Sequence, residues 1–223
     1  MRFPLLRVYR TLRRAPSRFI TWIIDARIGR AGAAEVVFLG DSITEFWQAA
    51  DPWPFWPRGA NRGISGETTR QMLERFERDV LALRPRVVHI MGGTNDLWHG
   101  DPGPDASAAM ANLIAMVQAA QAHGIRPILA SPPPIAPSAE HMFGHSELCP
   151  VLRAKVAQYC RAAGICHVDY AASLTDQAGL LKPALMTDGV HLSRQGYRAI
   201  RRQARDVIRK ALRACDDVIP LRE

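Results

Sequence analysis

Three residues that can together cleave an acyl bond lie far apart in the chain: Ser42 near its beginning, and Asp188 and His191 near its end. A serine hydroxyl is a weak nucleophile until a base takes its proton, and histidine is the usual base. That histidine needs a partner, commonly a carboxylate, to hold its tautomer and to stabilise the imidazolium. The set therefore predicts a nucleophile, a general base and an orienting acid. Taken alone, Ser42 is equally well explained as the N-cap of the next helix.

A tetrahedral intermediate also needs hydrogen-bond donors for its oxyanion. The backbone N–H of Ser42, near a helix N-terminus, can point at an anion. Gly66 lets the backbone approach closely because it has no Cβ, and Asn95 can offer its side-chain NH₂. We therefore expect an oxyanion hole made by Ser42, Gly66 and Asn95.

The candidate residues follow segments whose apolar pattern predicts β-strands. We expect strands over 35–40, 59–63, 86–91, 126–130 and 166–169, and helices near 43–50, 68–83, 106–123, 147–163 and 194–213. Short β-branched runs with helices between them predict a parallel sheet that is covered on both faces. Ligands bind beyond the carboxyl ends of the strands in such sheets, so the polar residues at those ends are expected to share one site.

Four short blocks of the sequence resemble those of the SGNH hydrolases, also called GDSL esterases and lipases. The blocks are GDSIT at 40–44, NRGISGET at 61–68, GGTND at 92–96 and DGVH at 188–191. The second block and the spacing are most similar to the platelet-activating-factor-acetylhydrolase-like and short-chain esterase branches. The similarity covers residues 33–212, and its first block has Ile43 where the family name has leucine.

The resemblance implies a three-layer α/β/α flavodoxin-like fold with a parallel sheet of about five strands, and ester hydrolysis through an acyl-enzyme. It assigns Ser42 as the nucleophile, His191 as the base and Asp188 as its partner, with Gly66 and Asn95 as oxyanion donors. It implies no metal and no organic cofactor. The expected substrate is a small acyl, acetyl or aryl ester. Two alternatives stay open: hydrolysis of longer chains, as in lysophospholipids or acyl thioesters, and a non-catalytic binding domain of the same fold.

Residues near the blocks are candidates for a substrate pocket. Trp47 and Trp98 lie close to the first and third blocks, His99 follows directly, and Val190 precedes His191. The tryptophans either pack in the core or form a wall for an acyl or aryl group. We expect no metal site, because the histidines lack HExxH spacing and the cysteines lack CxxC spacing.

The composition indicates one globular domain with basic ends. Of the 223 residues 48% are hydrophobic, and we expect a hydrolase domain over 33–215, between a basic, partly amphipathic segment 1–30 and a tail 216–223. The net charge of +8 comes from the ends: segment 1–30 has eight arginines and one aspartate, and 194–213 has seven arginines, one lysine and one aspartate. Without a recognisable module, this distribution argues against nucleic-acid binding. The arginines of the last helix, such as Arg201, are expected on a solvated face.

Segment 1–30 has three interpretations, which the sequence leaves open. It could lie on an anionic membrane surface, act as a targeting peptide, or pack on the domain as a helix. No apolar run approaches the ~20 residues that a membrane span needs. We therefore expect a cytoplasmic protein, with membrane association or export through this segment left open. The four cysteines are expected to be reduced, and the oligomeric state is not predicted.

Overall fold

The computed structural model describes residues 34–55, 58–99, 103–136, 139 and 145–216, with the backbone alone for His99. The predictions for segment 1–30, for the tail beyond residue 216 and for the side chain of His99 lie outside the described residues. Among the helices that are described, none combines the length and the apolar content that a membrane crossing requires.

A five-stranded, all-parallel sheet forms the middle layer of the domain. Its strands are β1 (Val36–Gly40), β2 (Gly59–Gly63), β3 (Val87–Met91), β4 (Arg126–Ala130) and β5 (Cys166–Val168), in the order β2-β1-β3-β4-β5. This is the flavodoxin-like order, in which ligands bind where the strand order reverses, at the ends of β1 and β3. Gly40 pairs in register with Gly63 and with Met91, so these three strands end at one level. All five predicted strands are confirmed.

In the part of the chain that the structure describes, four of the five predicted helices are present, one is broken, and two short helices lie where none was predicted. The helices are α1 (Ser42–Ala50), α2 (Thr69–Glu74), α3 (Phe76–Asp79), α4 (Asp96–His99), α5 (Ala106–Ala122), α6 (Leu148–Ala163), α7 (Ala171–Leu174) and α8 (Arg194–Asp216), with 3₁₀ turns at Trp53–Phe55, Leu81–Leu83 and Pro183–Leu185. The single helix predicted over 68–83 is wrong, because the chain leaves the helical path at Arg75, where φ is −102° and ψ is 5°. The guanidinium of Arg75 is bonded to the end of β1 and to the loop after β2, and these tertiary contacts override the apolar periodicity.

Both faces of the sheet are buried by helices. Successive side chains of a strand point to opposite faces, so β1, β3 and β4 each contribute to two apolar clusters. Val37 and Leu39 of β1 belong to an apolar cluster with residues of α2, α5 and α6. Val36 and Phe38 belong to a second cluster on the other face, with residues of α1, α7 and α8. The predicted three-layer α/β/α arrangement is therefore confirmed.

Candidate active site

Ser42 stands at the N-terminus of α1, directly after the turn that ends β1. Asp41 caps the helix, since its side chain accepts a hydrogen bond from the N–H of Ile43 at 2.9 Å. The turn has no room for a side chain at Gly40, where a Cβ would lie 2.5 Å from the carbonyl oxygen of Met91. This close packing between β1, β3 and α1 gives the serine a defined position.

Ser42, His191 and Asp188 form one chain of hydrogen bonds. The Oγ atom of Ser42 lies 2.9 Å from Nε2 of His191, and Nδ1 of His191 lies 2.7 Å from Oδ2 of Asp188. A carboxylate accepts and cannot donate, so Nδ1 carries the ring proton and Nε2 accepts from the serine hydroxyl. The second carboxylate oxygen of Asp188 accepts from the backbone N–H of His191 at 2.8 Å and of Val190 at 3.0 Å. The structure thus brings the three predicted side chains into hydrogen-bonding reach.

Two carboxyl groups near this chain differ in how readily they take a proton. Burial raises the pKa of Asp188, but the hydrogen bond and charge of His191 and two backbone N–H groups outweigh it and leave that pKa below its ordinary value. Burial raises the pKa of Asp41 to about 6, although the N–H of Ile43 and the charge of His191 oppose the change. Asp188 therefore stays ionised well below neutral pH, as an orienting partner of histidine requires, whereas Asp41 begins to take up a proton near pH 6.

The loop after β2 and the turn after β3 bring Gly66 and Asn95 close together. Gly66 has φ +82°, in the left-handed region that glycine adopts without steric cost. The side-chain Nδ2 of Asn95 donates to the carbonyl oxygen of Glu67 at 2.8 Å, so the amide lies against the residue that follows Gly66. The N–H of Ile64 donates to the carbonyl oxygen of Gly40 at 3.0 Å, which ties the same loop to the end of β1.

Two residues that the sequence analysis did not single out hold α1 against this loop. A carboxylate oxygen of Glu45 accepts from the backbone N–H of Ser65 at 2.7 Å and also from its hydroxyl. Asn61 donates to the carbonyl oxygen of Thr44 at 2.8 Å and accepts from the N–H of Gly63 at 2.8 Å. Asn61 is the first residue of the NRGISGET block, whereas the sequence contains only a weak signal for Glu45, its position one helical turn after the nucleophile.

Trp47 packs in the core rather than in a pocket, which corrects its selection as a substrate-binding residue. It is fully buried, and its ring packs against those of Phe38, Phe55, His89, Tyr170 and Tyr197. Trp98 is 46% exposed and Val190 is buried. The ring of Phe46, which the sequence analysis did not select, lies 5.5 Å from that of His191, measured between centroids. Phe46 is therefore a wall of the site that only the folded chain reveals.

A cleft of about 370 Å³ adjoins Gly66. It is lined by Gly66, Thr68, Arg70, Gln71, Glu74, Asp96, Gly103, Asp105, Ala108 and Asn112. A Cβ at Gly66 would meet no atom within 4 Å, so the loop backbone is open on that side. Most of the lining is polar and offers both donors and acceptors of hydrogen bonds. Within the described residues no group of three or more His, Cys, Asp or Glu side chains could hold a metal ion.

Two relatives show how far the sequence similarity extends. The platelet-activating factor acetylhydrolase IB subunit alpha1 of Rattus norvegicus is 27% identical over 186 residues, which cover 80% of this chain and 76% of that protein. The uncharacterized lipoprotein YqeF of Bacillus subtilis is 37% identical over 148 residues. That match covers 57% of this chain and 61% of the lipoprotein, which is less than two thirds of its length.

Solved structures share the fold along most of the chain. A GDSL-like lipase from Bacteroides thetaiotaomicron superposes with a TM-score of 0.73 at 29% identity, covering 86% of this chain and 98% of that chain. The acetylxylan esterase Axe2 from Geobacillus stearothermophilus has a TM-score of 0.66 at 25% identity, covering 79% of this chain and 95% of that chain. Three structures of catalytic mutants of that esterase change a serine, an aspartate and a histidine to alanine.

The GDSL-like Lipase/Acylhydrolase family matches residues 38–199 of the chain. This range runs from β1 into α8, and it contains the Ser42–His191 pair together with Gly66 and Asn95. The chain therefore belongs to the GDSL-like lipase/acylhydrolase (SGNH) family of carboxylic ester hydrolases.

Proposed function

We propose that the protein is a serine ester hydrolase that cleaves small carboxylic esters through an acyl-enzyme. The observation that carries this proposal is the hydrogen-bonded chain from Ser42 to His191 at 2.9 Å and from His191 to Asp188 at 2.7 Å. The acetylxylan esterase relative supports it, since its catalytic mutants change the same three residue types.

In the first half of the reaction Ser42 Oγ attacks the carbonyl carbon of the ester while His191 Nε2 accepts the hydroxyl proton. Asp188 holds the imidazole ring and stabilises the imidazolium. The tetrahedral intermediate then collapses, the bond between carbonyl carbon and alcohol oxygen breaks, and the imidazolium gives its proton to the departing alkoxide. The products of this half are the free alcohol and an acyl ester of Ser42.

In the second half a water molecule attacks the acyl-enzyme, and His191 takes the proton of that water. The bond between the acyl carbon and Ser42 Oγ breaks, and the imidazolium returns a proton to Oγ. The carboxylic acid leaves, and the resting hydroxyl is restored. Each proton transfer in this scheme uses side chains of this chain and the water that is consumed.

The negative oxygen of both tetrahedral intermediates is held, in this proposal, by the N–H of Ser42, the N–H of Gly66 and the amide of Asn95. A helix N-terminus favours an anion, which supports the role of the Ser42 N–H. The amide of Asn95 has two hydrogens, and its bond to the carbonyl of Glu67 uses one of them, so the second can serve the oxyanion.

The polar cleft reaches Gly66, although neither Ser42 nor His191 lines it, and it supports a hydroxylated alcohol group, such as that of an acetylated sugar, beside the loop after β2. Donors and acceptors on its walls, among them Gln71 and Asn112, suit hydroxyl groups better than a long alkyl chain. Trp98, His99 and Val190 remain the predicted substrate contacts. The alternatives are a lysophospholipase or acyl-thioesterase acting on longer chains and a non-catalytic domain of this fold.

Hydrolysis of p-nitrophenyl acetate by the wild type, Ser42→Ala and Ser131→Ala tests the nucleophile. Ser131 is a matched control, because its Oγ also lies 2.9 Å from a histidine Nε2, that of His167, yet the residue is fully buried. We expect Ser42→Ala to lose at least about 10³-fold in kcat, as removal of a catalytic nucleophile does, and Ser131→Ala to retain activity. Equal rates in the wild type and Ser42→Ala would remove the proposal.

A substrate panel separates the alternatives. Acetylated xylose and glucose derivatives, p-nitrophenyl esters of increasing chain length, lysophospholipids and acyl thioesters are compared by kcat/KM. The proposal expects acetyl esters to be the best substrates, with rates that fall as the acyl chain lengthens. Faster turnover of long chains would favour the lysophospholipase or thioesterase alternative. Failure of an active-serine phosphonate to label the protein would favour the non-catalytic domain.

We also propose that segment 1–30 takes the enzyme to an anionic membrane surface. Its eight arginines and single aspartate support attraction to such a surface. The test is co-sedimentation of the full chain, and of a chain that begins at residue 31, with phosphatidylglycerol or phosphatidylcholine vesicles. Binding of the full chain to the anionic vesicles alone supports the proposal, and equal binding of both chains contradicts it.

A further inference from the structure

Arg75 is an almost completely buried cation, 7% exposed, at the break between α2 and α3. Each nitrogen of its guanidinium donates to a different segment of the chain. Nη2 donates to the carbonyl oxygen of Gly40 at 3.1 Å, and Nε donates to a carboxylate oxygen of Glu67 at 2.6 Å. Nη1 donates to a carboxylate oxygen of Asp79 at 2.8 Å.

Two of these three contacts reach the segments that carry the reaction. Gly40 ends β1 and comes two residues before the nucleophile. Glu67 follows Gly66, and its carbonyl oxygen accepts from the amide of Asn95. One guanidinium therefore connects β1, which leads to the nucleophile, with the loop after β2. That loop contains Gly66 and accepts a hydrogen bond from the amide of Asn95.

The loop is also held on its other side. Ser65 is bonded to Glu45 of α1 through its backbone N–H and its hydroxyl. Gly66 has a backbone φ of +82° and lies between two held neighbours, Ser65 bonded to Glu45 and Glu67 bonded to Arg75. Such an arrangement fixes the direction of the Gly66 N–H without any side chain on Gly66 itself.

A lysine could not replace Arg75 in this role. The guanidinium is planar and presents donors in several fixed directions, whereas an ammonium group is a compact point charge on a flexible stem. A buried cation is also costly unless its partners are well placed. Here the partners are the carboxylates of Glu67 and Asp79 and the carbonyl oxygen of Gly40. Glu67 and Gly40 belong to the segments that form the site.

We propose that Arg75 is a positioning residue that holds the loop 64–67 so that the Gly66 N–H and the Asn95 amide face the oxyanion. The proposal rests on the ester hydrolysis proposed above. Arg75 does not touch the substrate in this account. It acts through Glu67 and Gly40 on groups that stabilise the transition state.

The experiment compares Arg75→Lys and Glu67→Gln with the control Arg78→Gln. Glu67→Gln keeps the size of the side chain and leaves the bonds of Arg75 to Gly40 and Asp79, so it remains a test if Arg75→Lys does not fold. Arg78 is a matched control, because it also pairs with Asp79 but its side chain is 72% exposed. The measurements are kcat/KM on p-nitrophenyl acetate, the thermal midpoint, and the inhibition constant of a trifluoromethyl ketone, which forms a tetrahedral adduct with the serine.

We expect kcat/KM to fall by about 10- to 100-fold in Arg75→Lys and by a smaller factor in Glu67→Gln, because a misdirected donor loses part of the ~10²–10³ that one oxyanion contact supplies. The affinity for the ketone should fall by the same factor, and Arg78→Gln should match the wild type in both. Wild-type kcat/KM in Arg75→Lys and Glu67→Gln, or a rate loss without loss of ketone affinity, would overturn this inference alone. Absence of hydrolysis by the wild type would overturn the proposed function and this inference with it.

Discussion

Replacing Gly66 by alanine tests the oxyanion loop through its backbone, without a change in packing. The residue has φ +82°, and a Cβ there would meet no atom within 4 Å. Any effect of the substitution must therefore come from the conformational preference of alanine. Gly124, in the turn between α5 and β4, offers a matched control, because it has φ +70° and also has open space around a Cβ.

The two substitutions are expected to cost similar stability and different activity. A residue with a Cβ in the left-handed region costs about 1–2 kcal/mol, so both variants should lose about that much free energy of unfolding. In Gly66→Ala, any rotation that relieves this strain turns the N–H away from the oxyanion. Loss of one oxyanion donor typically reduces kcat by about 10²–10³, which corresponds to about 2.7–4 kcal/mol. Gly124→Ala carries the same backbone cost at a turn that contributes no donor.

The assay combines urea unfolding with steady-state hydrolysis of p-nitrophenyl acetate. The hydrolysis is measured without urea, where each variant is folded, and at saturating substrate. We expect similar unfolding free energies in Gly66→Ala and Gly124→Ala, with wild-type kcat in Gly124→Ala and a loss of about 100-fold in Gly66→Ala. Equal kcat in the two variants would refute the assignment of Gly66 as an oxyanion donor. If Gly66→Ala lost several times as much unfolding free energy as Gly124→Ala, the loss could not come from the left-handed backbone conformation alone.

Three further predictions concern single side chains. Asp188→Asn should lower kcat on p-nitrophenyl acetate by about 10³-fold, because an amide can donate to His191 Nδ1 and stabilise the wrong tautomer; an unchanged rate would contradict that role. Burial lowers the pKa of His89 to about 4 in the folded protein, whereas the unfolded chain takes up this proton near the ordinary pKa of 6.5. The folded state therefore loses stability as the pH falls from 6.5 to 4. Between about pH 7 and about pH 5 the urea unfolding free energy of the wild type should fall by about 2 kcal/mol more than that of His89→Gln, and parallel curves would speak against this. Burial raises the pKa of Cys149 to about 11, so iodoacetamide followed by mass spectrometry should modify the partly exposed Cys215 before Cys149, and the reverse order would be inconsistent with the fold.

The sheet and the long helices could be predicted from the sequence because burial leaves a local pattern. A strand buried on both faces is a short apolar run, and a helix on a sheet repeats apolar residues every three or four positions. The strands β1, β3 and β4 and the helices α1, α5, α6 and α8 have such patterns, whereas β2 is Gly-Ala-Asn-Arg-Gly and has only one apolar side chain. The chemistry of the site was predictable for a related reason, since three of the four blocks join a strand end to a residue of unusual type, and the fourth precedes a helix.

Contacts between distant segments could not be predicted in this way. The helix expected over 68–83 is interrupted at Arg75, whose partner at Gly40 lies 35 positions earlier. Trp47 lies only five positions after the nucleophile, as a pocket residue could. Its ring is nevertheless enclosed by the aromatic rings of four residues from other parts of the chain, namely Phe38, Phe55, Tyr170 and Tyr197. Arg201, expected on a solvated face, instead pairs with the buried carboxylate of Asp51 at 2.7 Å. In each case the partner comes from elsewhere in the chain, and local spacing contains no record of it.

The sequence by itself determined the family, the parallel sheet and the residue types available for acyl transfer, because short motifs and apolar periodicity are properties of neighbouring residues. Only the tertiary structure decided which of those residues meet. Ser42 and His191 are 149 positions apart, and they come within 2.9 Å because β1 and the segment before α8 end at the same edge of the sheet. The tertiary structure likewise decided that Arg75 and Glu45 hold the loop around Gly66, since a buried charge takes the partners that folding places beside it.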